Sequence, residues 1–545
     1  MKMMPKKYML FALLALGLLH RAIQLSLVYS AVTRQIALNP TWQSMQYLPT
    51  DLFERSFTVA LLYLQQTPPL PNLLVGILCR LSSNPELKAV ILIAFAGILS
   101  CIAGALLFIL LLRMRVWPSI ALVTALLFIG NSDVILLEYT AFGQCFYEQM
   151  TMVGCLMAAL AAVSLIRYNS VMAAIRLGLV VAVLALTRAT FSYFAIPVMA
   201  WLLWHKVRPK YLLAFLLPVV LLHGGWAAKQ FSVQGHWLWA TSTWGGANAQ
   251  FGDIKRHAEG FKNWQAQANI DCARRWPDVL SSPLGVFLSY VQLAKNADAI
   301  RGINDDRGPS PAARATDLTT FEARGKWLAM DSAGFRELSA CLQQMYFYYW
   351  LGNPGKAFEG WAKSYVQFWQ PIDSYTALVP TVLVASRPTA AEISEPSIRR
   401  AFIDLLSPPH YFIRQETMPW YISDGKLLLV PANVAVIPFA PELATLIAFA
   451  MLHSLPLTAA FIRIKRGSLK DAFPAGFSFL LLLYIYVAGI CNLVEFGENM
   501  RFRLSVEPII WSIGIITVCT LMTRLRHPKL QPVTSNDRSS TKQTI

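Results

Sequence analysis

The sequence predicts an all-α polytopic membrane protein of about ten transmembrane helices, with a mixed or mainly helical outer domain. Three observations carry this reading. The chain is 55% hydrophobic and 14% charged, with a mean hydropathy of +0.46, too apolar for an ordinary soluble enzyme. Nearly uncharged runs of about 18–25 residues recur, the length a helix needs to cross the hydrocarbon core. Basic residues collect in short stretches between those runs: Arg113 and Arg115; Arg167; Lys206, Arg208 and Lys210; Arg463, Lys465 and Arg466; Arg524 and Arg526. That is the pattern of the positive-inside rule.

The runs fall at 8–30, 87–112, 117–136, 143–166, 171–187, 190–204, 211–227, 441–462, 473–494 and 505–523. Basic loops in the cytoplasm put both termini there, which requires an even number of crossings. The start, with Lys2, Lys6 and Lys7 before a long apolar run, reads as an uncleaved first span. Residues 1–227 then form a seven-span module with a first outer loop at 31–86. Residues 228–426 form an extracytoplasmic domain, 427–530 a three-span module, and 531–545 a disordered cytoplasmic tail. In the first outer loop the breaker run Thr67-Pro68-Pro69-Leu70-Pro71 and the short apolar stretch 72–81 read as helices lying along the interface.

The net charge of +17 raises the question of nucleic acid. Residues 228–426 hold 20 Lys and Arg against 18 Asp and Glu, so nearly all the surplus lies in the loops between apolar runs. A nucleic-acid surface would need it on one folded face. The charge is therefore read as topology, with no nucleic-acid partner.

Cys79, Cys101, Cys145, Cys155, Cys491 and Cys519 lie in or beside apolar runs, as small fillers. Cys272 and Cys341 fall well inside the outer domain and are candidates for a disulfide in an oxidising compartment, or else two unrelated thiols. No CxxC, HExxH, phosphate-loop or dinucleotide glycine pattern occurs. Trp361, Tyr365, Phe368 and Trp369 follow helical spacing, either as a domain core or as an aromatic face resting on the bilayer.

Of the twelve acidic residues outside 228–426, ten map to the outer face or the outer ends of spans: Asp51, Glu54, Glu86, Asp133, Glu138, Glu148, Glu442, Glu495, Glu498 and Glu507. Carboxylates near a membrane are costly and tend to mark functional cavities. Arg188, Lys229, Arg501 and Arg503 share that side. Acids and cations together suit sugar transfer from a polyprenyl phosphate. A carboxylate takes the acceptor's proton as its oxygen attacks the anomeric carbon, and cations or a metal hold the charge on the departing phosphate. The isoprenoid tail of such a donor accounts for an enzyme embedded in the bilayer.

Four segments carry a family likeness: Thr50-Asp51-Leu52-Phe53-Glu54; Gln66-Thr67-Pro68-Pro69-Leu70-Pro71; Leu184-Ala185-Leu186-Thr187-Arg188-Ala189-Thr190; and Phe496-Gly497-Glu498-Asn499-Met500-Arg501-Phe502-Arg503, closing with Glu507-Pro508. Their order resembles the glycosyltransferase C superfamily, in the style of protein O-mannosyltransferases and bacterial lipid A aminoarabinose transferases. The resemblance implies Asp51 as catalytic base and Arg501 or Arg503 on the donor phosphate; Arg188, a cation on the same side, is a further candidate for it. Glu54 is the second candidate base, because Leu52 stands where many relatives carry an adjacent acid. Tyr47, Glu138 and Glu498 are expected to line the substrate cavity. No cofactor is specified; a divalent metal remains open.

The expected function is a glycosyltransferase of a bacterial inner membrane, active on the outer face, passing a hexosyl or pentosyl group to a glycan, lipid or protein acceptor. A secondary transporter and an oligosaccharide polymerase or ligase are the alternatives. Transporters usually pair two halves of similar hydropathy, whereas seven spans here face three.

Overall fold

The computed structural model describes residues 5–38, 57–64, 67–139, 146–234, 239–240, 350–369, 384–385, 411–412, 417–423, 426–429, 452, 455, 458–459, 473–474, 476–494 and 499–526. Tyr47, Asp51, Glu54, Cys272, Cys341 and Glu498 lie outside the described residues, as does the side chain of Arg501.

The described chain is mainly helical. Helix α1 spans Lys6–Leu38. Two short helices follow, α2 at Phe57–Tyr63 and α3 at Pro69–Cys79, the latter opened by proline, whose missing N–H costs nothing in a first turn. Helix α4, Pro85–Arg113, begins on the side chain of Asn84, which accepts from the Glu86 and Leu87 amides at 2.8 and 3.4 Å.

The single span expected at 117–136 is two helices, α5 at Pro118–Ile129 and α6 at Ser132–Tyr139. The chain turns at Gly130 and Asn131, and Asn131 Oδ1 accepts the Asp133 amide at 2.8 Å to start the second helix. Next come α7, Phe146–Tyr168, and α8, Val171–Thr187. At Arg188 the backbone is extended (φ −146°, ψ 129°); a 3-10 turn at Ala189–Phe191 then leads to α9, Ala195–Trp204.

Helices α10, Pro209–Pro218, and α11, Gly225–Gln234, are joined by a π-helical turn, Val219–Gly224. The turn follows Pro218, which has no N–H to continue the regular ladder. Helix α12 is Pro354–Phe368, α13 is Phe477–Val494 and α14 is Asn499–Arg526. Two small antiparallel pairs, Val384–Ala385 with Tyr411–Phe412 and Thr417–Ser423 with Lys426–Leu429, complete the described elements.

Among the described residues five helices are long and apolar enough to cross a membrane: Lys6–Ser26, Glu86–Arg113, Tyr147–Tyr168, Pro209–Ser232 and Phe502–Thr523. Shorter apolar helices lie at Pro69–Cys79, Pro118–Ile129, Val171–Thr187, Ala189–Trp204 and Phe477–Leu493. The run at 441–462 is described at only four positions. Many outward-facing residues of these helices are large and apolar, among them Phe11, Ile196, Leu213 and Leu221, as expected where lipid takes the place of water.

One apolar core joins α1, α4 to α10, α13 and α14. A smaller one packs α2 and α3 against Leu92 of α4 and Tyr147 of α7. Helices α8 and α10 approach so closely at Gly178 that a methyl group there would lie 2.0 Å from the carbonyl oxygen of Phe215. Cys79, Cys101, Cys155 and Cys491 are buried, in keeping with their apolar surroundings.

Helix α12 comes from the segment 228–426, and Phe368 and the adjoining Trp369 are buried in the main core with Tyr365 packed beside them. These rings pack into the bundle against α13 and α14.

Candidate functional site

Among the described residues, three arginines in this apolar bundle are almost wholly buried, and each holds a carboxylate. Arg188 follows the last residue of α8, where the chain leaves the helix. Its Nη1 donates to Glu148 Oε1 at 2.6 Å and to Ser505 Oγ at 3.0 Å, and its guanidinium lies 4.2 Å from the centre of the Phe502 ring. Glu148 is the third residue of α7, so the starts of α7 and α14 meet the end of α8 at this point.

Arg503, on the same turns of α14 as Phe502 and Ser505, is completely buried. Its Nη2 donates to Asp133, its Nε to Glu507 Oε2 at 3.0 Å, and its Nη1 to the Phe368 carbonyl at 3.4 Å. Glu507 also accepts Trp511 Nε1 at 2.8 Å. Removing a charge from water costs several kcal/mol, which only close partners of opposite sign offset. Here the offsetting groups come from α6, α12 and α14 at once.

Arg21 forms the third centre. Its Nε and Nη2 donate to Glu138 Oε1 at 3.0 and 2.8 Å, and Nη2 also donates to the Ile129 carbonyl at 2.7 Å. Helix α6 thus carries Asp133 near its start and Glu138 near its end, clamped by arginines from opposite ends of the chain. Gly97 leaves room for this pair: a methyl group there would stand 3.2 Å from Arg21 Cγ and 3.4 Å from Glu138 Oε2.

Helix α2 is tied down separately. Gln230 Nε2 donates to the Leu64 carbonyl at 2.7 Å, and Lys229 Nζ approaches the Leu64 and Leu61 carbonyls at 3.3 and 3.4 Å. These carbonyls close the carboxy-terminal end of α2, where helical acceptors lack partners and a cation is favoured. Lys229 lies 3.9 Å above the Trp226 ring.

Side chains also hold the break after α8. Tyr486 donates to the Thr190 carbonyl at 2.6 Å, and Trp239 Nε1 donates to the Ser192 carbonyl at 3.0 Å. Where α12 meets α13, the Tyr365 and Tyr484 hydroxyls lie 2.5 Å apart.

Of the residues singled out in the sequence, the structure brings Arg188 and Arg503 to neighbouring turns of α14 and places Glu138 on Arg21. Tyr47, Asp51, Glu54 and Glu498 lie outside the described residues, and of Arg501 only its place in α14 is described. Among the described residues no group of three or more His, Cys, Asp or Glu side chains is placed to hold a metal ion. Arg21 was missed by sequence reasoning, although a cation inside an apolar run was the signal for it. No family model, curated protein or solved structure matches this chain.

Proposed function

We propose that the chain is a ten-span glycosyltransferase of a bacterial inner membrane. It transfers a sugar from a polyprenyl-phosphate donor to a glycan, lipid or protein acceptor on the outer face. The observation that carries the reading is the convergence of Arg188 and Arg503 on the start of α14. Two guanidiniums held in an apolar bundle offer directed donors to a phosphate, and Arg188 can exchange Glu148 for a phosphate oxygen.

In this mechanism the acceptor hydroxyl gives its proton to Asp51 while its oxygen attacks the anomeric carbon. The bond from that carbon to the phosphate oxygen breaks, and the polyprenyl phosphate leaves with the charge that the arginines offset. Glu54 is the second candidate for the base. Purified protein in vesicles, offered a panel of polyprenyl-phosphate sugars, should consume one of them. Asp51→Asn should lower turnover by about 10²–10⁴-fold with donor binding intact. No consumption of any donor would overturn the proposal, and near-normal transfer by Asp51→Asn would move the base to Glu54.

A secondary transporter is the second reading, favoured by the same arginine–carboxylate pairs, because buried ionisable groups in membrane helices also form ion and proton pathways. Solute uptake driven by an ion gradient, without donor consumption, would select it.

A further inference from the structure

The rings of α12 form one continuous face whose two ends meet different surroundings. Phe358, Trp361, Tyr365 and Phe368 recur three or four residues apart. Their centroids are 6.0, 5.2 and 6.1 Å apart in succession, with interplanar angles of 23°, 13° and 9°. At one end Phe368 is fully buried and its carbonyl accepts Arg503. At the other end Phe358 is 68% exposed, and Leu351, in the turn before the helix, is 64% exposed.

The hydroxyl contact between Tyr365 and Tyr484 sets the level of this face. Tyr484 sits in the middle of α13, with ten residues, or roughly 15 Å of helix, still to run before Val494. From Tyr365 to Phe368, α12 advances towards the Arg503 end of the bundle. Traced back from Tyr365 to Phe358 it recedes from that end, by about 10 Å along its axis. Beside Tyr484, Ile485 is 62% exposed on the outward side of α13. In an apolar helix packed among membrane-length helices, that position faces hydrocarbon.

We propose that α12 is a bilayer-embedded helix, inserted from the segment 228–426, whose exposed face at Phe358 packs against phospholipid acyl chains. Its fifteen residues cover about 22 Å, and residues 350–352 just before it are helical as well. Lys356 and Glu359, paired at 3.4 Å and exposed, stand on the first turns. Lys356 can extend along its stem towards the nearer interface.

The test is photocrosslinking of the full-length chain in native membranes. A benzophenone amino acid replaces Phe358, or Ile485 as the comparison. The expected product at both positions is an adduct with the mass of a phospholipid. A crosslink from position 358 to a peptide of this chain or of another protein would overturn the proposal.

A second measurement guards against a disturbed fold. Phe358→Cys should react with a membrane-impermeant maleimide at least tenfold more slowly than Ser539→Cys in the polar tail. Both rates are taken after membranes are opened and corrected for the unsubstituted chain. Equal rates would place Phe358 in water and overturn the proposal.

Discussion

Arg21 and Glu138 stand 117 positions apart and meet at both carboxylate oxygens, Oε1 accepting from Nε and Nη2 and Oε2 lying 2.7 Å from Nε, while the same guanidinium reaches back to the last carbonyl of α5. The cation therefore closes a helix end and neutralises a buried acid together, and it ties the first helix to the turn between α5 and α6. Partners this far apart make the pair a test of the whole N-terminal arrangement.

Removing either member leaves the other buried and uncompensated. Arg21→Ala and Glu138→Ala should each cost about 3–5 kcal/mol. Arg21→Met with Glu138→Leu should recover most of the loss, since apolar groups of similar volume can stand in for such a pair. Thermal unfolding of the purified protein in detergent measures the coupling. A double variant as unstable as the sum of the singles would show that the pair contributes no interaction.

Gly178 gives a prediction from contact alone. Gly178→Ala must push α8 off the Phe215 backbone, an overpacking cost of about 1–3 kcal/mol, and a few degrees of thermal midpoint. Gly225 is the control: beyond its own helix, no described atom lies within 4 Å of where a methyl group would stand. Gly225→Ala should be neutral or gain about 0.5–1 kcal/mol, because alanine loses less entropy in a helix.

Arg188 separates charge from geometry. A lysine keeps the positive charge but cannot hold Glu148 and Ser505 with one planar fork. On the proposed function, Arg188→Lys should raise the donor KM by about 10–100-fold, the value of one charge-assisted hydrogen bond. An unchanged donor KM in both Arg188→Lys and Arg188→Ala would remove Arg188 from the phosphate site.

The contacts at the end of α2 predict a local effect. Gln230→Leu removes a donor from the buried Leu64 carbonyl, worth about 1 kcal/mol. Backbone amides of residues 57–63 should exchange with solvent roughly fivefold faster, with little change in global stability. Unchanged exchange there would mean that Lys229 alone holds the helix end.

Apolar runs marked the helices well: the expected 171–187 coincides with α8, and Arg188 ends it because the chain there must turn. The split falls on the polar stretch Gly130-Asn131-Ser132-Asp133, short enough for the apolar residues on either side to merge into one expected span, and the side-chain cap of Asn131 starts the second helix. The charge partners were hidden for another reason. Spacing along a helix reports a face, not which distant residue that face meets. The side of the bundle on which Arg188 and Arg503 lie could be argued from loop charges; their meeting on α14 could not. Helix α12 has the composition of a water-soluble segment, while Tyr365, Phe368 and Trp369 at one end seat it in the core.

The Asp133–Arg503 pair has a bearing on synthesis. The two residues are 370 positions apart, and translation at 5–20 residues per second takes about 20–70 s to cover that interval. Throughout that time α6 exists without the arginine that later neutralises its first acid, and over the last 135 residues Phe368 exists without the guanidinium that caps its carbonyl. Until then the N-terminal helices carry an acid whose arginine has not yet been made. The final helix then acts as a closing key: a chain halted anywhere before residue 503 would present an incompletely neutralised acid, a mark by which quality control could tell it from finished protein.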